Sequence, residues 1–278
     1  MFSRNYQPSA KLAPYVRNYY VMQAELPEGH VIEDFLLAET AFVRCLVKGD
    51  WSGGDAPDEL ESGGFAVFSG ANSRPFKVRL TGSLKNAGIA FRPGGWRALF
   101  TQSHTKFADE MLLLRDIWGS LADDLFDRVE AAQSDDETIA AMEDILTKRL
   151  DEVGSYEVDE PMAKFERFSR QDSTIRIDDA ADQIGLSVRQ MERRCKHTFG
   201  LTPKGVLRRS RFLDMAAAMR GLSSPGEQAL AELRYFDDSH LNKEFRRFAD
   251  MTPGQFRETA TPLHTAGLKF REESRYDD

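Results

Sequence analysis

Two helix-turn-helix patterns follow each other between Ile177 and Arg257, and they constrain the fold more than any other feature of the chain. Each joins a short helix to a longer amphipathic helix through a tight turn. Each also ends on a Thr-Pro pair, in which Thr predicts an N-cap and Pro the first position of another helix. The threonines, Thr202 and Thr252, lie fifty positions apart, so we interpret the segment as a duplicated unit.

The first unit predicts a short helix from Asp178, as its N-cap, to Gly185, and a longer helix that Ser187 caps and that runs to about Phe199. The longer helix has an apolar side and a side of cations and amides, which are the groups that contact phosphates and base edges in a major groove. The apolar side consists of Val188, Met191, Cys195 and Phe199. The candidate DNA contacts are Arg189, Gln190, Glu192, Arg193, Lys196 and His197.

The second unit predicts a positioning helix over Gln228–Leu233, a turn over Arg234–Asp238 and a recognition helix over Ser239–Ala249. We expect Leu241, Phe245 and Phe248 to form its buried stripe. A helix over Pro203–Arg220 would separate the two units by a fixed distance. The candidate DNA contacts of the second unit are Ser239, His240, Asn242, Lys243, Arg246 and Arg247.

The runs LSVRQMERRCKHTFGLTP and LAELRYFDDSHLNKEFRRFADMTPGQFR resemble the DNA-binding domain of the AraC family of transcription regulators, over roughly Phe165 to Arg257. Cys195 stands where the family usually has a large aromatic, Lys243 where it usually has Arg, and Arg234-Tyr235 where many members have Gly. The resemblance implies an effector-responsive regulator that binds double-stranded DNA, with RNA polymerase as a further candidate partner. It also implies a cupin-like N-terminal barrel, and it is compatible with an activator that works as a homodimer.

The charge distribution agrees with a DNA-binding C-terminal part. The whole chain has a net charge of −8, but residues 173–260 carry +3 and the remainder −11. Phosphates respond to the local field of the two basic helix faces, so the acidic total does not oppose DNA binding.

Residues 1–106 consist of short segments rich in β-branched, Leu and aromatic residues, separated by Gly and Pro clusters such as Gly82. This pattern predicts a compact β domain, a barrel or a sandwich. The predicted strands are Tyr15–Met22, Phe35–Leu37, Ala41–Val47, Phe65–Ser69, Phe76–Leu80 and Ala87–Phe91.

The segment Phe91–Trp96 leads from the last predicted strand into a short helix, Trp96–Phe100. It resembles the N-terminal domains of one AraC subgroup, together with Tyr6–Ser9 and Leu12–Tyr20, and this makes Arg92 and Trp96 candidate effector contacts. The alternative is a Gly-rich corner with a Trp that simply packs.

Residues 107–150 show two apolar helical stripes, Ile117 to Val129 and Ile139 to Leu150, which pack on their own domain or form a dimer contact. The resulting fold class is α+β with two domains. We assign 1–150 to the β-rich effector and dimerisation domain, 151–160 to an acidic linker, 161–260 to the helical DNA-binding domain and 261–278 to a loosely held polar tail. Within the DNA-binding domain, a first helix is predicted over Pro161–Arg170.

The sequence offers little for catalysis or metal binding. The β region contains only His30 and His104, which form no ligand pair, and no nucleophile elbow, P-loop or dinucleotide fingerprint occurs. We therefore expect no enzyme activity, no cofactor and no metal. The absence of an apolar span, of a signal peptide and of an obvious disulfide favours a cytoplasmic protein.

These patterns together predict a sequence-specific DNA-binding transcription regulator. The alternative is a protein-interaction or co-regulator module with weak DNA affinity, which lacks salt-dependent binding to duplex DNA.

Overall fold

The computed structural model describes residues 2–27, 29–36, 40–52, 64–224, 226–227, 238–259, 262–273 and 275. Its N-terminal part is an antiparallel sheet with attached helices, and its C-terminal part is helical. The α+β class is therefore confirmed. No helix in these ranges is both long enough and apolar enough to cross a membrane.

Seven strands of the described chain form one antiparallel sheet, in the order β1-β2-β6-β4-β5-β7, with β3 paired to β6. The long strand β6 is its centre: β4 runs along one edge, and β3 and β2 share the other. The β-rich domain is confirmed, and its cupin-like character stays a prediction. The strands are β1 Phe2–Tyr6, β2 Val16–Ala24, β3 Val31–Leu36, β4 Phe42–Ser52, β5 Phe65–Ser69, β6 Phe76–Phe91 and β7 Met111–Leu113.

Gly82 does not separate two strands, as we expected, but lies inside β6. Its φ of 74° is a conformation that Gly adopts without strain. The partner strand β4 shows register shifts opposite this bend, between Leu46 and Lys48 and between Lys48 and Asp50. One bent strand therefore replaces the predicted pair Phe76–Leu80 and Ala87–Phe91, because bulges let a long strand continue through a bend.

The two faces of the sheet have separate partners, because successive side chains in a strand point to opposite faces. On one face, Tyr19, Val43 and Ile89 pack against the N-terminal helices in one core cluster. On the other face, Met22, Leu46 and Leu80 belong to a second cluster. The N-terminal helices are α1 Trp96–Leu99, α2 Arg115–Trp118, α3 Ser120–Ala131 and α4 Asp135–Val153, with short 3-10 turns at Pro93–Gly95 and His104–Lys106.

The two apolar stripes of the N-terminal helices are buried within one chain. Leu121, Leu125 and Val129 of α3 belong to the same core cluster as Leu146 and Leu150 of α4. The stripes thus pack on their own domain and are not available to a second copy. The homodimer stays a prediction, and these apolar stripes no longer support it.

The C-terminal helices follow the predicted caps closely. Ser187 and Thr252 form capping boxes, Thr202 caps its helix, and Gly185 adopts a φ of 72° in the turn. Two details were wrong: the first helix has Arg176 rather than Asp178 as its N-cap, and Val188 is 42% exposed. The helices are α5 Glu160–Gln171, α6 Ile177–Gln183, α7 Val188–Phe199, α8 Pro203–Met219, α9 Asp238–Ala249, α10 Pro253–Glu258 and α11 Pro262–Glu273.

The expected loose polar tail, residues 261–278, was wrong for its described part. Residues Pro262–Glu273 form α11, in which Leu263 and Leu268 are buried. Arg271 and Arg275 are 3% and 4% exposed and pair with Asp214 of α8 at 2.9 and 2.7 Å. Asp214, which is distant in sequence, thus anchors the C-terminal segment through these two arginines. The local composition of the segment does not reveal this contact.

The segment predicted as a linker, 151–160, is bonded to both parts of the molecule. Asp159 donates its N–H to Gly94 O at 2.8 Å and accepts a hydrogen bond from Arg194 at 3.1 Å. Tyr15 donates its hydroxyl to Tyr156 O at 2.8 Å. The residues between α4 and α5 are therefore held in place rather than free.

Candidate nucleic-acid interface

The first recognition helix, α7, is fixed at its start and along its apolar side. Ser187 Oγ accepts the N–H of Gln190, while Gln190 Oε1 accepts the N–H of Ser187 at 2.9 Å. Met191 and Cys195 are fully buried, and Phe199 meets Phe165 of α5 edge-on. This packing holds the opposite side of α7 toward solvent.

Three cations on that side, Arg189, Arg193 and Lys196, are exposed. Lys196 pairs with Glu192 at 3.0 Å, one turn earlier on the same helix. Such an exposed pair contributes little to stability, and a phosphate could compete for the ammonium. Arg189 and Arg193 form no ion pair with another described residue, so they are the strongest candidates on this face for contacts to DNA.

The remaining candidates on α7 have other contacts. Gln190 uses its oxygen in the capping box, which leaves only its NH₂ group for a base edge. His197 is half-buried, and burial, followed by the nearby charge of Arg97, lowers its pKa. Arg194, which we did not select, pairs with Asp159 and so joins α7 to the segment before α5.

The second recognition helix, α9, has the same organisation. Phe245 and Phe248 are buried against Phe212 of α8, with ring centroids 5.0 and 5.1 Å apart, and Leu241 is partly buried beside them. His240 is half-buried. The positioning helix Gln228–Leu233 and nearly all of the turn Arg234–Asp238 lie outside the described residues. The exposed candidates are Ser239, Asn242, Lys243, Arg246 and Arg247.

Two of these exposed side chains make local contacts. Asn242 donates its amide to Asp238 O at 2.7 Å, and the Arg247 guanidinium lies 5.6 Å from the ring centre of Phe248. Lys243 and Arg246 are left as the more available cations of α9. The recognition helices also end alike, because Gly200 and Asp250 both adopt left-handed conformations, with φ of 73° and 56°.

One residue that the sequence argument missed sets the orientation of α9. Glu244 is 1% exposed, and both its carboxylate oxygens accept from Arg208 Nε of α8, at 2.7 and 2.8 Å. The sequence signal that would have found it is its place on the predicted buried stripe, three residues after Leu241, since a buried charge needs a partner. The pair joins α9 to the helix that separates the two units.

A second missed residue joins the N-terminal domain to the first recognition helix. His104 is 1% exposed and stacks on Trp96, with ring centroids 4.0 Å apart. Its Nε2 accepts the N–H of Ala71 at 3.0 Å, so Nδ1 carries the proton and donates to Thr198 O at 2.9 Å. Burial lowers the pKa of His104 to about 3, so the ring is neutral at pH 7.

The two proposed effector contacts, Arg92 and Trp96, both make contacts within the protein. Trp96 is 1% exposed, stacks on Phe100 and donates Nε1 to Gln102 O at 2.7 Å. The half-buried Arg92 donates its backbone N–H to Tyr15 O at 2.8 Å. The packing alternative therefore describes Trp96 better than a ligand contact does.

The described residues contain no group of three or more His, Cys, Asp or Glu side chains placed to hold a metal ion. Both cysteines, Cys45 and Cys195, are free and lie buried in separate core clusters. Burial raises the pKa of the Cys45 thiol to about 12, so it is not a thiolate at neutral pH.

Comparisons with known proteins give matches in both parts of the chain. Residues 180–259 match a family described as a helix-turn-helix domain, and residues 4–112 match one described as a domain of unknown function. No curated protein matches the chain.

Several solved structures are similar to the chain. They include ToxT from Vibrio cholerae bound to an unsaturated fatty acid, with 12% identity, a TM-score of 0.48, and coverage of 88% of this chain and 97% of that one. A 1.65 Å structure of ToxT has 11% identity and a TM-score of 0.47, with coverage of 86% and 98%. The AraC-like transcriptional activator CuxR has 12% identity and a TM-score of 0.26, with coverage of 76% and 93%.

Proposed function

We propose that the chain is an AraC family transcription regulator and that it recognises a specific operator through two successive major-groove segments. The first recognition helix, α7, would read one segment, and the second, α9, the other. The segments would lie about one helical turn, or roughly 34 Å, apart.

The observation that carries this proposal is the pair of exposed basic faces on helices whose other sides are buried. Arg189 and Arg193 on α7, and Lys243 and Arg246 on α9, project away from their domain cores. Phosphate contacts by such cations supply affinity, and bidentate Arg contacts to guanine supply specificity. The Arg208–Glu244 pair and the packing of α8 would keep the two faces at a fixed separation.

The experiment is operator selection from genomic fragments with the full chain, followed by affinity measurements over a range of salt concentrations. Two double variants, R189A/R193A and K243A/R246A, should each weaken binding and lower the slope of log affinity against log salt by up to about two charge contacts. R128A is the control, because Arg128 is an exposed cation of α3 that pairs with Asp144. Salt-independent binding, or none, would support the alternative of a protein-interaction module.

We also propose the finer features that the sequence predicted. The β-rich domain, residues 1–150, would bind a small-molecule effector and form the homodimer, residues 151–160 would join the domains, and the cytoplasm would be the site of action. The DNA-binding domain would extend beyond residue 260, since α11 packs on α8 through Arg271 and Asp214. As an activator, the protein would contact RNA polymerase at a promoter, and a promoter fusion in a deletion strain would test the direction of regulation.

A further inference from the structure

A cavity of about 130 Å³ lies between the sheet and the C-terminal helices α8 and α11. Strands β1, β2, β4 and β6 supply one wall, and Leu213 of α8 with Leu263 to Arg271 of α11 supplies the other. The segment that looks like a polar tail in the sequence therefore closes this cavity.

Small residues create the space on the sheet side. In the strand register, Gly88 of β6 lies between Tyr20 and Arg44, and Ala90 lies between Asn18 and Phe42. A Cβ atom on Gly88 would lie 2.5 Å from the Tyr20 ring, so the ring occupies the place of a side chain. Gly88 thus leaves room for the Tyr20 ring, and the short side chain of Ala90 leaves room for the cavity beside that ring.

Several residues that line the cavity have buried polar atoms without hydrogen-bond partners among the described residues. They are Asn18 Oδ1, Trp51 Nε1 and both ring nitrogens of His264. These residues line the cavity and are only 2%, 4% and 4% exposed. Because an unsatisfied buried polar group costs about 1–3 kcal/mol, a ligand with acceptor groups would be stabilised by the two donors of this set, Trp51 Nε1 and the protonated nitrogen of His264.

The charges of the cavity favour an anion. Two of its three guanidinium groups are neutralised: Arg17 pairs with Glu166, and Arg271 pairs with Asp214. The third, Arg44, has no carboxylate partner in the described part of the chain. Its Nη1 donates to Ser69 Oγ at 2.9 Å, and its guanidinium lies 4.9 Å from the ring centre of Phe42.

The volume limits the ligand. An apolar cavity of about 150 Å³ accommodates benzene, so 130 Å³ suits a body of about one ring. We propose that the cavity binds a small organic monoanion, with its carboxylate on Arg44 and an apolar, ring-sized body between Tyr20, Phe42 and Leu263. This inference rests on the proposed function, for which it supplies the effector class and site.

The same contacts connect the cavity to the recognition helices. On the sheet side, Asp34 Oδ2 accepts the N–H of Leu263 at 2.9 Å, which fixes the start of α11. On the other side, Arg271 of α11 donates to Ser210 and Asp214 of α8 at 2.6 and 2.9 Å. Since Arg208 of α8 holds Glu244 of α9, a ligand that stabilises α11 would also stabilise the orientation of α9.

The test is calorimetric titration of the full chain with benzoate, cyclohexanecarboxylate and pentanoate, with benzamide as the uncharged analogue and palmitate as the long-chain alternative. The three small anions should bind, and benzamide should bind at least about tenfold more weakly, because it lacks the charge that Arg44 recognises. R44M should weaken benzoate by a similar factor, whereas R79M, on an exposed cation of β6, should not.

A second variant keeps the test valid if R44M does not fold. A Cβ on Gly267, which lines the cavity from α11, would meet no atom within 4 Å, so G267L should fold and block benzoate. Unchanged benzoate binding in G267L and R44M, no binding by the three small anions, or binding by palmitate alone would overturn the inference. Operator affinity is measured separately: intact DNA binding without anion binding refutes only this inference, and anion binding without DNA binding refutes only the proposed function.

Discussion

Replacing His104 with alanine should destabilise the folded chain and loosen the contact between the N-terminal domain and the first recognition helix. The ring bridges Ala71 N–H and Thr198 O, two backbone groups that lie in different domains. Alanine removes both hydrogen bonds and the stack on Trp96.

The magnitude follows from these contacts. Each of the two lost hydrogen bonds contributes about 1 kcal/mol to the free energy of unfolding. The Ala71 N–H would also be left buried without an acceptor, which adds to the loss. The lost stack on Trp96 adds about 0.5–1.5 kcal/mol, and the cavity left by the ring adds more. We expect a loss of about 3–5 kcal/mol in the free energy of unfolding.

Urea denaturation of the full chain, followed by far-ultraviolet circular dichroism and by tryptophan fluorescence, measures this loss. The control is H30A, because His30 is exposed and should change stability by less than about 0.5 kcal/mol. A loss in H104A as small as in H30A would refute the bridge and the tautomer assigned to it.

Three further predictions concern buried charges. Replacing Arg208 with methionine leaves the Glu244 carboxylate buried and unpaired, so the free energy of unfolding should fall by about 3–5 kcal/mol in urea denaturation, and operator affinity should fall with it. Stability should also fall as the pH drops below 6.5, because the unfolded state protonates two imidazoles that burial holds neutral, with pKa values of about 3. The Asp34 carboxyl opposes this loss, because burial raises its pKa to about 6, and the folded state therefore binds more protons than the unfolded state between pH 3.8 and 6. The free energy of unfolding, measured by urea denaturation, should therefore show a net loss of about 2–3 kcal/mol from pH 7 to pH 5. Finally, a fragment of residues 161–275 should unfold at a higher urea concentration than one of residues 161–260, which lacks the arginine partners of a buried aspartate; equal midpoints would contradict this role of α11.

Local chemistry was enough to predict the helical domain. Ser187 and Thr252 cap their helices through bonds to residues three positions later, and such patterns are visible in sequence. The buried stripes of α7 and α9 likewise follow from helical periodicity within one turn or two. The candidate cations were therefore placed correctly on exposed faces.

The features that sequence analysis missed depend on contacts over long distances along the chain. The buried state of Arg271 depends on Asp214, and the role of His104 depends on Thr198. The continuity of β6 through Gly82 depends on bulges in another strand. A single sequence contains no local signal for such partners, which is why a helix that closes a cavity resembled a loose tail.

The central claim is that the two recognition helices read separate parts of one operator. The direct test is selection of bound DNA from a random library by the full chain, R193A and R246A, with the base preference at each position compared. The account predicts that R193A relaxes the preference at one or two base pairs, and that R246A does so about ten base pairs away. If both variants relax the same base pairs, or if neither changes any preference, the account is wrong.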